Sequence, residues 1–173
     1  MEPLVEYGKI ILPASLVIYA MYLTVKSFIL KDVELKKLEI RDRSLEIVLP
    51  NRLQAYERIC LFLERISPPN LLTRLSNAKY SAVQFHKLIL DEIRNEYNHN
   101  VSQQVYMSEE VWSLVKSAKE DLIIIVNEAA TSMIAESTSL DLSRKIFELS
   151  LEKDFDTISN AIIEVKKEIQ QTF

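Results

Sequence analysis

The pattern of apolar and polar residues divides the chain into an apolar N-terminal stretch, a densely charged stretch and a longer amphipathic remainder. Residues 10–25 carry no charge, and after Lys26 the apolar run continues to residue 30. A helix of about 20 residues crosses the hydrocarbon core of a bilayer, and a lysine near its end can extend its amine to the headgroups. The pattern therefore predicts a transmembrane helix over residues 10–30, preceded by a short non-cytoplasmic tail over residues 1–9.

The apolar run has two alternative interpretations, a cleaved signal peptide and a buried core helix. A signal peptide has a basic start and small residues at its cleavage site, whereas Glu2 and Glu6 precede this run and large or charged residues follow it. Only Lys9 lies before the run, and six basic residues follow closely: Lys26, Lys31, Lys36, Lys37, Arg41 and Arg43. The positive-inside rule then predicts a cytoplasmic C-terminal domain at a bacterial inner membrane.

Residues 31–50 mix acidic and basic residues with a thin apolar stripe, which is typical of a charged juxtamembrane helix or stalk. Such a helix can lie in solvent or against a partner. Pro50 is expected to break or kink it, because proline lacks the backbone N–H that the helix requires. Residues 51–173 are then predicted to form a cytoplasmic helical domain.

Several amphipathic helices are predicted in residues 51–173 from apolar positions three and four residues apart. The helix over residues 51–66 has a stripe expected to be buried, formed by Leu53, Tyr56, Ile59, Cys60, Leu63 and Ile66. Helices are also predicted over residues 79–97, from a cap at Ser108, and from a capping box at Thr138 and Asp141. Residues 102–106 read as an irregular or extended connector.

The last helix has a narrow seam formed by Phe155, Ile158, Ile162, Val165 and Ile169. This spacing suits packing within a bundle or against another copy of the chain. Composition agrees with an all-α fold, because a single glycine among 173 residues disfavours the turns of β-rich proteins. The net charge of −4 comes from interleaved charges, so no nucleic-acid surface is expected. The single cysteine, Cys60, excludes an internal disulfide.

One cluster has the residue types of a metal site. Glu96 and His99 have the Glu-x-x-His spacing of ferritin-like carboxylate sites, and Glu92 lies one turn earlier. Those sites need a second such motif, and His86, the other histidine, has Val83 three residues before it. Glu92, Glu96 and His99 are therefore weak metal candidates, and we predict no cofactor.

Three stretches carry a family resemblance: LPNRLQAYER at residues 49–58, FLERISP at 62–68 and YNHNVSQQVY at 97–106. Together they resemble an uncharacterised family of small single-span membrane proteins in Bacteroidota, and the resemblance covers most of the chain. It implies no reaction, but it does imply a shared surface that binds a partner. Its candidate residues are Arg52, Gln54, Tyr56, Glu57, Arg58, Glu64, Arg65, Asn100, Gln103 and Gln104, with Glu96 and His99 beside them. Whether the charged face of residues 51–66 is such a surface or is only solvated stays open.

These observations predict a membrane-anchored, non-enzymatic helical protein that acts by protein–protein contact. It would be an accessory subunit or scaffold of an inner-membrane complex. One alternative is a self-assembling membrane scaffold, formed through the C-terminal seam or the stalk. The other is a metal-dependent enzyme using the Glu-x-x-His site.

Overall fold

A computed structural model describes residues 2–77, 79–153 and 155–171, and over these residues the protein is all-α. The helices are α1 (Glu2–Ile66), α2 (Pro68–Leu75), α3 (Ala82–Asn100), α4 (Glu109–Thr131), α5 (Ser139–Glu152) and α6 (Thr157–Gln170). A 3₁₀ helix, Val101–Tyr106, joins α3 to α4. The chain forms two compact units, Met1–Pro50 and Asn51–Phe173.

Pro50 does not end the first helix, so the prediction of separate helices on its two sides is wrong. The backbone of α1 is helical from Glu2 to Ile66. Proline removes one N–H from the hydrogen-bond ladder, but leucine, arginine, glutamine and glutamate flank it and favour helix. The boundary between the two compact units nevertheless falls directly after Pro50. The predicted tail over residues 1–9 is also part of this helix from Glu2 onwards.

In the first unit, most of the apolar side chains that the structure describes on α1 are exposed to solvent. Leu16, Ile18 and Phe28 are 66%, 68% and 73% exposed. Among the residues that the structure describes, no helix has the length and apolar character needed to cross a membrane. The side chains of residues 2–10 and 12–14 lie outside the described part. The transmembrane helix over residues 10–30 thus has no support from the fold and stays a prediction.

The second unit has one hydrophobic core, to which α1 beyond residue 50 and helices α2 to α6 all contribute. Ile59, Phe85, Leu122 and Ile146 are fully buried in it. Helix α6 packs chiefly on α4, and α5 packs on α3 and α4. The C-terminal seam is therefore used within the unit, where Ile158, Ala161, Ile162 and Val165 are buried.

Two local predictions differ from the structure. Leu53 is 49% exposed, and Phe62, outside the predicted stripe, is buried in its place. The neighbouring helices therefore cover a different position of α1 than the apolar pattern suggests. Residues 102–106 belong to a 3₁₀ helix and are not extended.

The predicted caps of α4 and α5 are confirmed, and α3 has a capping box of its own. The Ser108 hydroxyl accepts from Val111 N at 3.2 Å, and Thr138 forms a reciprocal box with Asp141. Ser81 and Gln84 form the same motif at α3, which the Ser-x-x-Gln spacing in the sequence signals. An isolated antiparallel bridge between Ser81 and Thr138 joins the two helix starts. The caps thus also connect α3 to α5.

Replacing Thr138 by alanine is expected to lower the free energy of unfolding by about 1 kcal/mol, because the first turn of α5 loses its acceptor. The backbone N–H and then the hydroxyl of Thr138 donate to Asp141 and hold the pKa of that carboxyl below its usual value. A lowered pKa contributes stability above the unfolded value, near 4, and this contribution is lost as the pH falls through the folded value. Urea unfolding at pH 7 measures the loss of the cap, and urea unfolding in acid measures the contribution of the ionised Asp141 carboxylate.

The matched control is Glu136→Gln, at an exposed carboxylate two residues before the cap. It should leave stability within about 0.5 kcal/mol of the wild type. Asp141→Asn should reduce the decrease in the free energy of unfolding at acid pH, that is, flatten the acid limb of the plot against pH. An unchanged acid limb would contradict the hydrogen bonds assigned to Asp141.

Candidate functional site

The three stretches that carry the family resemblance meet in the second unit. The Tyr56 hydroxyl lies 3.1 Å from the backbone oxygen of Tyr106. The rings of Phe62 and Tyr97 have centroids 6.1 Å apart. The guanidinium of Arg65 pairs with Glu96 at 2.7 Å. The candidate residues thus lie along the contact of α1 with α3 and the 3₁₀ helix.

Tyr56 is a buried residue and not part of the surface, with 2% of the residue exposed. Its hydroxyl donates to the carboxylate of Glu168 in α6. Arg52 donates from Nη2 to the same hydroxyl oxygen at 3.2 Å, and its guanidinium carbon lies 5.8 Å from the Tyr56 ring centroid. These contacts join α1, the 3₁₀ helix and α6, so Tyr56 has a structural role.

Glu168 also holds the start of α4. Its carboxylate accepts from the backbone N–H of Ser108 at 2.9 Å and from the Ser108 hydroxyl. One carboxylate therefore satisfies donors from two other elements, α1 and the residue that caps α4. We name Arg52, Tyr56, Ser108 and Glu168 the polar junction.

Burial and hydrogen bonding fix the charges in the polar junction. Burial raises the pKa of the Tyr56 hydroxyl, and its hydrogen bond to Glu168 adds to the effect. Partial burial also acts to raise the pKa of Glu168, but hydrogen bonds from Ser108 and Tyr56 and the charge of Arg52 outweigh it. The Glu168 pKa therefore lies below that of an ordinary glutamate. At neutral pH the junction holds an ionised glutamate and a neutral tyrosine.

A second polar network surrounds the predicted metal candidates. Arg65 of α1 pairs with Glu96, and Arg74 of α2 pairs with Glu92 and lies 4.0 Å from Glu96. The side chain of Glu96 is only 14% exposed. The His99 ring places Nδ1 2.9 Å from the backbone oxygen of Asn95, so Nδ1 carries the proton in this contact. We name Arg65, Arg74, Glu92 and Glu96 the ion-pair network.

The ion-pair network does not fit a metal ion. Glu92, Glu96 and His99 line one shallow concavity with Arg65 and Asn95. Two guanidinium groups already neutralise the two carboxylates and would repel a cation. Within the described ranges, no three His, Cys, Asp or Glu side chains are grouped so that they could hold a metal ion.

The remaining candidates divide by exposure. Gln54, Glu57, Arg58, Glu64 and Gln104 are exposed. Arg52, Asn100 and Gln103 are half-buried, and the Asn100 amide donates to the backbone oxygen of Glu96 at 2.8 Å. The exposed residues of α1 share one side with Leu53 and Leu61, which are 49% and 54% exposed. We name this side, formed by Leu53, Gln54, Glu57, Arg58, Leu61 and Glu64, the α1 outer face.

Sequence reasoning missed two residues that organise the site, Glu168 and Arg74. Glu168 lies far along the chain from its partner Tyr56, and no local spacing connects them. Arg74 lies in the short helix α2, 18 residues before its partner Glu92. The signal that could have found Glu168 is weak, namely an acidic residue directly beside the apolar seam of the last helix.

Over the described residues the fold and the site define an all-α protein whose second unit has one hydrophobic core and a partly buried polar junction. The chain belongs to the Family of unknown function (DUF7935), which matches residues 2–172. The match extends over both compact units. No curated protein and no solved structure matches the chain.

Proposed function

We propose that the protein is a membrane-anchored, non-enzymatic helical protein that acts by protein–protein contact, as an accessory subunit or scaffold of a bacterial inner-membrane complex. In this proposal residues 10–30 are the anchor and residues 51–173 are the cytoplasmic part. The excess of basic residues after the apolar run supports this orientation. The assignment to Bacteroidota is supported by the resemblance alone.

The observation that carries the proposal is the exposure of apolar side chains along residues 11–30. Ile11, Ile18, Met21 and Phe28 are each more than 60% exposed. Proteins that stay in water rarely expose so much contiguous apolar surface. Contact with lipid would remove these side chains from water, at about 25 cal/mol per Å² of apolar area.

The α1 outer face supports the contact role. It combines two exposed leucines, Leu53 and Leu61, with the charged side chains of Glu57, Arg58 and Glu64. Protein–protein interfaces likewise combine apolar and polar side chains. By contrast, the carboxylates that a hydrolytic or redox metal site would use, Glu92 and Glu96, are occupied by arginines. These pairs favour a binding role for the unit.

The anchor is tested on the full chain produced in a bacterium, by extraction of the membranes with alkaline carbonate. The wild type is expected to stay in the membrane pellet. The variant Val17→Asp/Met21→Asp places charges in the apolar run, at about 2.5 to 3.5 kcal/mol for each at the bilayer centre, and should move to the supernatant. The control Val33→Asp/Ile40→Asp introduces the same two charges at exposed apolar residues outside the run and should stay in the pellet.

Wild-type protein in the carbonate supernatant would overturn the anchor.

The contact role is tested by native mass spectrometry of the particle gently extracted from its own membranes. Other proteins at fixed stoichiometry, lost on Leu61→Asp but kept on Val105→Asp, would support an accessory subunit. Val105 is 75% exposed and lies outside the α1 outer face. A particle without other proteins would overturn that role.

A further inference from the structure

A groove of about 450 Å³ lies in the second unit, where helices α1 and α5 end and helices α2 and α6 begin. Side chains of α2, of α5 and around the start of α6 form its apolar wall, namely Pro68, Pro69, Phe147, Leu151, Phe155 and Ile158. Two of them are open to solvent, since Leu151 is 82% exposed and Phe147 is 37% exposed. We name this concavity the end groove. It presents apolar surface to another molecule.

Polar side chains in the end groove donate to backbone oxygens. The Ser67 hydroxyl and the Asn70 amide both donate to the backbone oxygen of Glu64, at 2.7 and 2.9 Å. The Ser150 hydroxyl donates to the backbone oxygen of Ile146 at 2.8 Å. A hydroxyl whose proton is already donated offers a partner only its lone pairs. The first two residues of α2 are prolines, which have no backbone N–H to offer. The two hydroxyls therefore favour an occupant that donates hydrogen bonds.

The charge of the end groove is negative. Among the described residues that line it, Glu64 is the charged one. Glu64 is exposed, and its carboxylate has no ion pair in the described contacts. Helix ends carry partial charges, but two C-terminal ends and two N-terminal ends come together here and offset one another. The groove is therefore complementary in charge to a cation.

The charged residues that neighbour the end groove in the sequence have the same bias. Glu152 and Asp156 each directly follow a residue that lines the groove, and both are exposed. Neither has an ion pair in the described contacts. The basic residues nearby in the sequence are engaged with other helices, because Arg65 pairs with a carboxylate of α3 and Lys153 pairs with one of α4. Acidic side chains are thus left available around the groove.

We propose that the end groove receives a lysine or arginine side chain of the partner protein. The cationic group donates to the hydroxyl lone pairs and is attracted by Glu64, and its apolar stem covers Phe147 and Leu151. Long basic side chains combine an apolar stem with a charged end in this way, and aromatic rings attract cations. The inference rests on the proposed function, because the occupant belongs to the partner that this function requires.

The open form of the end groove favours a protein as the source of the cation. Sites for small molecules enclose most of their ligand, whereas Leu151 stays largely exposed in the wall of this groove. A side chain held by its own protein needs no such enclosure, and its neighbours cover the exposed wall. Glu64 belongs to the end groove and to the α1 outer face, so one partner contacts both. The carboxylates would repel the negative surface of a cytoplasmic leaflet.

The experiment is photo-crosslinking of the full chain in the cells that produce it, with benzoylphenylalanine in place of Leu151. Mass spectrometry of the crosslinked peptides is expected to find one protein other than this chain, attached beside a lysine or arginine. The control carries benzoylphenylalanine in place of Val105, which is 75% exposed and does not line the end groove. The control should not give that crosslink.

Charge reversal decides whether a basic side chain occupies the end groove. Glu64→Lys should lower the yield of the crosslink from position 151 at least about tenfold, and lysine suits the last turn of a helix, so α1 is kept. The matched control Glu136→Lys, at an exposed carboxylate that does not line the groove, should leave the yield within about twofold. Glutamate in place of the captured lysine or arginine should restore the yield with Glu64→Lys.

A yield that Glu64→Lys leaves unchanged or raises would overturn the inference, as would a failure of the restoring variant. So would crosslinks from position 151 to lipid or to a second copy alone. A native particle that contains a partner without any crosslink from position 151 would overturn the inference and leave the proposed function standing. A native particle without other proteins would overturn the proposed contact role, and this inference with it. The two failures are therefore distinguishable.

Discussion

Replacing Phe62 by alanine is expected to lower the free energy of unfolding of the second unit by about 3 to 5 kcal/mol. Phe62 is 1% exposed and its ring contacts that of Tyr97. Alanine removes the ring and leaves a cavity among helices that cannot fully close around it. Urea unfolding followed by circular dichroism at 222 nm, corrected for the signal of residues 2–50, measures the loss.

The matched control is Leu61→Ala, one residue earlier in the same helix. Leu61 is 54% exposed and lies on the α1 outer face. Its replacement should change the free energy of unfolding by no more than about 0.5 kcal/mol. Equal losses for the two variants would contradict the orientation of α1 in the second unit. The two variants therefore compare a buried residue, Phe62, with its exposed neighbour in the helix, Leu61.

Replacing Glu168 by alanine is expected to cost about 2 to 3 kcal/mol, because hydrogen bonds to a charged group contribute more than neutral ones. The change removes the acceptor of the Ser108 N–H and hydroxyl, and it leaves the Tyr56 hydroxyl to the backbone oxygen of Tyr106 at 3.1 Å. Because Glu168 is half-buried, water can replace part of the hydrogen bonding that the variant loses. Urea unfolding at pH 7 measures the effect.

The Glu168 carboxylate also predicts that the free energy of unfolding depends on pH. The pKa of Glu168 is lowered by hydrogen bonds and by Arg52, which outweigh the effect of burial. Its contribution to stability is therefore complete above the unfolded pKa, near 4.3, and is lost as the pH falls through the folded pKa. Glu168→Gln should reduce this acid-side loss.

Glu164→Gln on the same helix is the control for Glu168, since Glu164 pairs only with Lys167 in the described contacts. It should leave both the stability at pH 7 and the acid-side loss close to those of the wild type. Both variants could reduce the loss of stability in acid by the same amount. That result would contradict a special role for the polar junction.

Local signals in the sequence accounted for the starts of α4 and α5. The Ser108 cap and the Thr138–Asp141 box were predicted and are present. Both depend on side chains that bond the backbone N–H three residues away, so the information is contained in a short window. The predicted end of the helix over residues 51–66 is also confirmed, because α1 ends at Ile66.

Features that involve the packing of separate helices were not predictable in this way. The apolar spacing counted Tyr56 in a buried stripe, and the family resemblance placed it on a shared surface. The contacts of Tyr56 with Glu168 in α6 and with Tyr106 in the 3₁₀ helix decide that its side chain is buried. The charged face of residues 51–66 divides for the same reason, because Arg65 meets Glu96 while Glu57 and Arg58 stay exposed.

The sequence by itself determined that the protein is all-α, where α4 and α5 begin, and that the apolar run and the charged stretch precede an amphipathic remainder. These properties follow from propensity, capping and periodicity, which act over a few residues. Only the tertiary structure decided that Glu92 and Glu96 pair with arginines and that Glu168 closes the polar junction. Those outcomes depend on which side chains packing brings together from distant parts of the chain, and no local pattern records that choice.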